Sequence, residues 1–92
     1  MSKVREAFLM KKPSPPTARQ LFARNLRRYR RMLEISQEEL ALKAGMSRSY
    51  VSGIEREERN VSVDNMGQLA ESLGVTLKDL LDPELFSGVD KR

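Results

Sequence analysis

One short polar stretch, SRSYVSGIER, carries the side chains of this chain that are best suited to reading hydrogen-bond patterns. On a helical wheel of about 100° per residue, Arg48, Ser49 and Ser52 share one arc, whereas Val51 and Ile54 lie on the far side. A guanidinium can donate two hydrogen bonds to the O6 and N7 atoms of guanine, and serine hydroxyls read bases more weakly. The spacing therefore predicts a helix that buries one face and offers Arg48 to base edges.

Polar residues on either side of this stretch are suited to phosphate. Gln37 opens the preceding predicted helix, where free backbone amides favour an anion. Arg56, Arg59 and Asn60 follow the stretch and are candidates to hold phosphates or reach outer bases. A solvated loop is the alternative for these three. Gly53 borders the polar arc, where it leaves room for close approach of a backbone or a phosphate.

The composition argues against an enzyme. The chain has no cysteine and no histidine, which excludes thiol nucleophiles, cysteine or histidine zinc sites and histidine acid–base chemistry. Glu38 and Glu39 lie at a predicted helix start, where carboxylates serve capping better than proton transfer. We find no glycine-rich phosphate loop and no metal-ligand pattern. We therefore expect no cofactor and no metal.

Apolar periodicity predicts five helices and no strand. They span about residues 18–33, 37–44, 47–56, 63–73 and 77–81. The expected caps are Thr17, Ser36 with Glu39, Ser47, Ser62 and Thr76, and the expected glycine ends are Gly45 and Gly74. The predicted stripe of the first helix is Phe22, Leu26, Tyr29 and Leu33, opposite Arg24, Arg27, Arg28 and Arg31. The predicted stripe of the fourth helix is Val63, Met66, Leu69, Ala70 and Leu73.

The tract from Gln37 to Arg56, QEELALKAGMSRSYVSGIER, resembles the helix-turn-helix of phage repressor and Cro-type regulators, the XRE family. The similarity extends from about Ala18 to Pro83. The tract SRSYVSGIEREERN further resembles the controller proteins of restriction–modification systems. This resemblance implies an all-α fold, a compact five-helix repressor-like DNA-binding domain containing a helix-turn-helix.

The resemblance also implies roles for single residues in the recognition helix. The positions that face the DNA groove in the family are matched here by Arg48, Ser49, Ser52 and Gly53. Tyr50 matches a tyrosine that approaches the DNA backbone in controller-type relatives, although a core position is the alternative.

Three further positions match family residues that hold the motif in place. Gln37 matches a glutamine that binds phosphate and braces the recognition helix. Glu55 matches a glutamate that pairs with an arginine of the first helix, and Arg30 occupies that arginine's position. We expect a structural salt bridge between Arg30 and Glu55.

The charge is divided unevenly along the chain. Residues 1–17 carry a net charge of +3, residues 18–60 carry +4 and residues 61–92 carry −3. We interpret residues 1–17 as a flexible basic N-terminal arm, either a disordered terminus or an arm that tracks a DNA groove. Residues 18–83 are the predicted DNA-binding domain. Residues 84–92 are a predicted C-terminal tail, either frayed or packed at a dimer interface.

The expected function is that of a sequence-specific DNA-binding transcriptional regulator acting as a homodimer, since one recognition helix reads only a few base pairs. The dimer-interface candidates are Leu77, Leu81, Leu85 and Phe86, with core filling as the alternative. An antitoxin-type interaction module that binds a toxin and autoregulates its operon is the second hypothesis. No apolar run is long enough to span a bilayer, and no ligand-binding domain is appended. The expected partner is double-stranded DNA, and the expected location is the cytoplasm. We expect no membrane partner.

Overall fold

The computed structural model describes residues 15–85 of the 92-residue chain, and five helices lie in this range. In chain order they are α1 Ala18–Met32, α2 Gln37–Ala44, α3 Arg48–Glu55, α4 Val63–Leu73 and α5 Leu77–Leu80. No strand occurs between residues 15 and 85, so the expected all-α, five-helix fold is confirmed. Most of the predicted arm, and the end of the predicted tail with Phe86, lie outside the described residues.

Each helix begins at a hydroxyl side chain, as predicted. The side chains of Thr17, Ser36, Ser47, Ser62 and Thr76 each accept a hydrogen bond from the backbone amide three residues later. Ser36 and Glu39 form the predicted capping box, in which Glu39 Oε1 accepts from the Ser36 amide at 2.8 Å. These bonds satisfy amides that have no partner within the helix.

Two helix ends follow the predicted glycine pattern and two do not. Gly45 and Gly74 end α2 and α4 in the left-handed conformation, with φ of 71° and 75°. Glu34 and Glu57 adopt the same conformation after α1 and α3, with φ of 59° and 66°. The sequence did not predict these two turns, because glutamate has no preference for positive φ. Backbone hydrogen bonds back to the preceding helix turn hold both.

The core is mostly aliphatic and is drawn from all five helices. Its buried members are Phe22, Leu26, Leu40, Ala41, Ala44, Val51, Ile54, Leu69, Ala70, Leu73 and Leu80. Two residues of the predicted stripes are instead exposed, Leu33 at 45% and Val63 at 67%. Both lie at the ends of their helices, where the neighbouring helices no longer cover them. The stripe prediction was therefore wrong at these two positions.

A buried amide ties α1 to the end of α5. Asn25 is 2% exposed, and its Nδ2 donates to the carbonyls of Leu80 and Asp82, both at 3.0 Å. These carbonyls belong to the end of α5, where helical partners run out. The contact fixes the C-terminal helix against the core. No helix within residues 15–85 is both long and apolar enough to cross a membrane.

Candidate nucleic-acid interface

The turn between α2 and α3 sets the direction in which α3 leaves the core. The Met46 amide donates to the Ala41 carbonyl at 2.8 Å, and Gln68 Nε2 of α4 donates to the Ala44 carbonyl at 3.1 Å. Ala41 itself is 2% exposed. Its small side chain lets the backbones of neighbouring helices approach closely. The turn is thus held from both α2 and α4.

One face of α3 is buried and the other is polar. Val51 and Ile54 are 0% and 1% exposed. Arg48 and Ser49 are exposed at the first turn, and Ser52 is half-buried. This is the division that the helical wheel predicted. The amino-terminal half of α3 therefore presents donors and acceptors to solvent, which is the surface a base-reading helix needs.

The last residue of α3 is a buried carboxylate. Glu55 is 2% exposed, and its two oxygens accept from Nε and Nη2 of Arg30 at 2.7 and 2.9 Å. Oε1 also accepts from Nε2 of Gln37 at 3.0 Å. Donating hydrogen bonds to the Glu55 carboxylate raises the pKa of the Arg30 guanidinium. Three helices thus meet at one ion pair, and Gln37 lies where it can brace α3.

A second arginine of α1, which the sequence placed on the exposed side, also holds α3. Nη1 of Arg27 donates to the carbonyl of Glu55 at 2.7 Å. The last carbonyls of a helix lack helical partners and attract cations. The preference for a cation at the end of a helix could have predicted that some arginine contacts the end of α3. The spacing of the arginines along α1 does not distinguish Arg27 from its neighbours.

Two predicted DNA contacts bind each other at the exposed edge of α3. Arg56 donates to the Ser52 hydroxyl through Nη1 and to the Glu58 carboxylate through Nη2, the latter at 3.0 Å. The side chains of Arg56 and Glu58 are 57% and 60% exposed. The hydrogen bond from Arg56 lowers the pKa of Glu58, so the carboxylate is charged at neutral pH. A phosphate at Arg56 would compete with Glu58.

Tyr50 lies at the boundary between the core and the polar surface. Its ring is half-buried and packs against the core, while its hydroxyl accepts from Nδ2 of Asn65 at 3.0 Å. The hydroxyl proton remains available to an acceptor such as phosphate. No sequence pattern indicated this role for Asn65, which lies 15 residues away on α4.

Arg59 lies along α3 and covers Gly53. Its Cζ is 5.8 Å from the centroid of the Tyr50 ring. Gly53 is buried, and a Cβ added there would lie 2.8 Å from Cγ of Arg59. This differs from the open position expected beside the polar arc, because the loop after α3 folds back over the helix.

Asn60 is held by the start of α1. Its Oδ1 accepts from Nη2 of Arg19, an exposed residue in the first turn of that helix. The amide nitrogen of Asn60 is left to contact other groups. A DNA contact by Asn60 therefore stays a prediction, with Arg19 as an adjacent cation that the sequence did not single out.

Three of the four dimer-interface candidates lie near the C-terminal end of the described residues. Leu77, Leu81 and Leu85 are each half-buried. Leu77 and Leu81 pack against the core, so core filling accounts for part of their surface. The fourth candidate, Phe86, lies outside the described residues.

Known proteins are similar to this chain in both sequence and fold. Residues 26–80 match a family model described as Helix-turn-helix. The control protein C.BamHI of Bacillus amyloliquefaciens is 46% identical over 65 residues, which are 70% of this chain and 80% of that protein. The crystal structure of a hypothetical transcription factor from Neisseria covers 77% of this chain and 82% of its own, with 39% identity and a TM-score of 0.72. That of the restriction–modification controller protein C.AhdI from Aeromonas hydrophila covers 67% and 90%, with 42% identity and a TM-score of 0.65.

Proposed function

Because this chain belongs to the helix-turn-helix family of DNA-binding transcriptional regulators, we propose that it binds specific DNA sites as a homodimer, with α3 in the major groove. The observation that supports this most is the pair of faces on α3. The apolar face is buried, and Glu55 ties the end of α3 to two other helices. Arg48 and Ser49 remain exposed, and Ser52 is half-buried. A rigidly held helix with an exposed polar face suits direct reading of base edges.

A dimer is proposed because α3 is short. Its eight residues span only about 12 Å, enough to reach a few base pairs. A two-fold-related pair of such helices reads two half-sites and doubles the recognised sequence. Half-buried leucines near the C-terminus, Leu77, Leu81 and Leu85, are the surface that we propose for the contact between protomers.

Selection of bound duplexes from random DNA, together with light scattering of the free protein, tests this proposal. We expect enriched sites with two-fold-related half-sites about 34 Å apart, and a dimer at micromolar concentration. Enrichment of no sequence would contradict specific binding. A monomer that persists at high micromolar concentration would contradict the dimer.

The similarities favour a regulator over the antitoxin-type alternative. The relatives described above are named as control or controller proteins and a hypothetical transcription factor. We propose that the chain acts in the cytoplasm as a controller of a restriction–modification system. A restriction or methyltransferase gene beside its own would support that role, whereas co-purification with a small toxin would support the alternative.

Replacing Arg59 by alanine should weaken binding to all DNA sequences alike. If Arg59 contacts a phosphate, its loss removes one released counterion per protomer and flattens the dependence of log K on log salt by about one unit per protomer, or about two units for the dimer. Filter binding or fluorescence anisotropy at several salt concentrations would measure the slope. Lys78→Ala, an exposed cation on α5, is the control and should leave the slope unchanged. An unaltered slope in Arg59→Ala would assign Arg59 to the solvated loop.

A further inference from the structure

The geometry points to Gly53 as a positioning residue, one that seats Arg59 on the recognition helix instead of contacting DNA itself. The seat consists of the bare backbone of Gly53 and the ring of Tyr50, one helical turn apart on α3. This inference rests on the proposed function, since it assigns the means by which one DNA-contacting arginine is held in place.

The first half of the seat is the missing side chain at Gly53. A Cβ built there would lie 2.8 Å from Cγ, 3.3 Å from Nε and 3.6 Å from Cδ of Arg59. The first distance is shorter than a real Cβ contact allows. Gly53 lies inside α3 with an ordinary helical backbone, where glycine is less favourable than alanine. The backbone conformation therefore does not require glycine at position 53. A glycine is needed there only to leave space for the observed position of the Arg59 side chain.

The second half of the seat is an aromatic ring that α4 holds. The Arg59 guanidinium lies over the Tyr50 ring at 5.8 Å, within the range of a cation–π contact. Asn65 Nδ2 donates to the Tyr50 hydroxyl at 3.0 Å and fixes the outer edge of the ring. The aliphatic part of the Arg59 side chain thus packs on the backbone of Gly53, and its guanidinium lies over the ring of Tyr50.

The consequence is an exposed loop arginine whose conformation is restricted before DNA arrives. Ordering a long side chain during binding costs conformational entropy, and a side chain that is already ordered avoids most of that cost. The seat also directs the guanidinium toward the amino-terminal half of α3, where Arg48 and Ser49 are exposed. Gly53 acts on DNA only through Arg59.

Gly53→Ala tests the seat, with Gly67→Ala as the matched control. Gly67 is also a helical glycine, and a Cβ there would meet nothing within 4 Å. Both variants should fold and melt no lower than the wild type, because alanine favours helix and the atoms nearest the new Cβ of Gly53→Ala belong to an exposed side chain. In NMR spectra, the ring-current shift of the Arg59 side chain should disappear in Gly53→Ala and persist in Gly67→Ala.

On a DNA site selected by the wild-type protein, Gly53→Ala should bind roughly fivefold to tenfold more weakly, whereas Gly67→Ala should bind normally. In an Arg59→Ala background, adding Gly53→Ala should cause no further loss. Unchanged binding by Gly53→Ala would overturn the inference. So would an equal loss in the Arg59→Ala background, since the new methyl group would then obstruct DNA directly. Failure of the wild type to select any DNA would reject the proposed function, and the NMR shift would still test the seat.

Discussion

Replacing Glu55 by alanine is expected to lower the free energy of unfolding by about 3–5 kcal/mol, because it leaves the Arg30 guanidinium without its charge partner inside the fold. Arg30 and Glu55 side chains are only 11% and 2% exposed, and two hydrogen bonds join them. Gln37 Nε2 would lose its acceptor as well. The loss exceeds that of a surface ion pair because solvent cannot replace the missing carboxylate.

Chemical denaturation followed by circular dichroism would measure this loss. The control is Glu58→Ala, which removes the carboxylate from the exposed ion pair with Arg56 and should leave the denaturation midpoint unchanged. Arg30→Ala should also be strongly destabilised, because it leaves the buried Glu55 carboxylate without its charge partner. A double variant with apolar residues at both positions should lose less than the two single losses added together.

An Arg30→Ala protein as stable as the wild type would refute a structural role for the ion pair. If both single variants kept their stability and lost only DNA binding, Arg30 and Glu55 would belong to the binding surface. That outcome is not expected, because both charged groups point into the junction of α1, α2 and α3 and away from the exposed face of α3.

Replacing Arg48 by alanine is expected to relax sequence preference while leaving non-specific binding almost intact. A bidentate contact between arginine and guanine contributes about 1–3 kcal/mol of discrimination, so affinity for the selected site should fall roughly fivefold to 150-fold for each half-site that loses its contact. Arg48 is the only long side chain among the four predicted groove-facing positions. No neighbour in that set can therefore take over its contact.

Competition binding with the selected duplex and with random duplexes would separate the two affinities for Arg48→Ala. Arg31→Ala, an exposed arginine at the end of α1, is the control and should preserve the preference. A uniform loss on all duplexes would reassign Arg48 from base reading to a phosphate contact. Retained preference in Arg48→Ala would leave specificity to DNA shape and half-site spacing.

The helix boundaries and most of the core could be predicted because they depend on short-range chemistry. A serine or threonine at the N-cap accepts a hydrogen bond from the free amide three residues later, and this local preference placed Ser36 and Thr76 correctly. Gly45 and Gly74 marked two helix ends because glycine alone adopts positive φ without cost. Leu33 and Val63 were misplaced because periodicity shows which side of a helix is apolar and not how far a neighbouring helix reaches.

Contacts between elements distant in sequence were harder to predict. Asn25 and Arg27 lie on a helix crowded with polar residues, and nothing local distinguishes them from exposed neighbours. Their partners are 57 and 28 residues away, so only the packing of α1 against α3 and α5 decides which polar groups are paired. The ion pair between Arg30 and Glu55 was expected from family resemblance, and the residue types alone would not have selected it.

Caps, glycine turns and apolar periodicity act within a few residues, so the five helices, the helix-turn-helix and the two faces of α3 follow from local patterns in this chain. The contacts that the polar side chains make in the free protein emerge from the packing of the helices. Arg56 lies with Glu58, Arg59 over Gly53 and Tyr50, and Gln37 against Glu55. The physical reason is that these pairings depend on how the loop after α3 and the neighbouring helices fold over it, which no local pattern encodes.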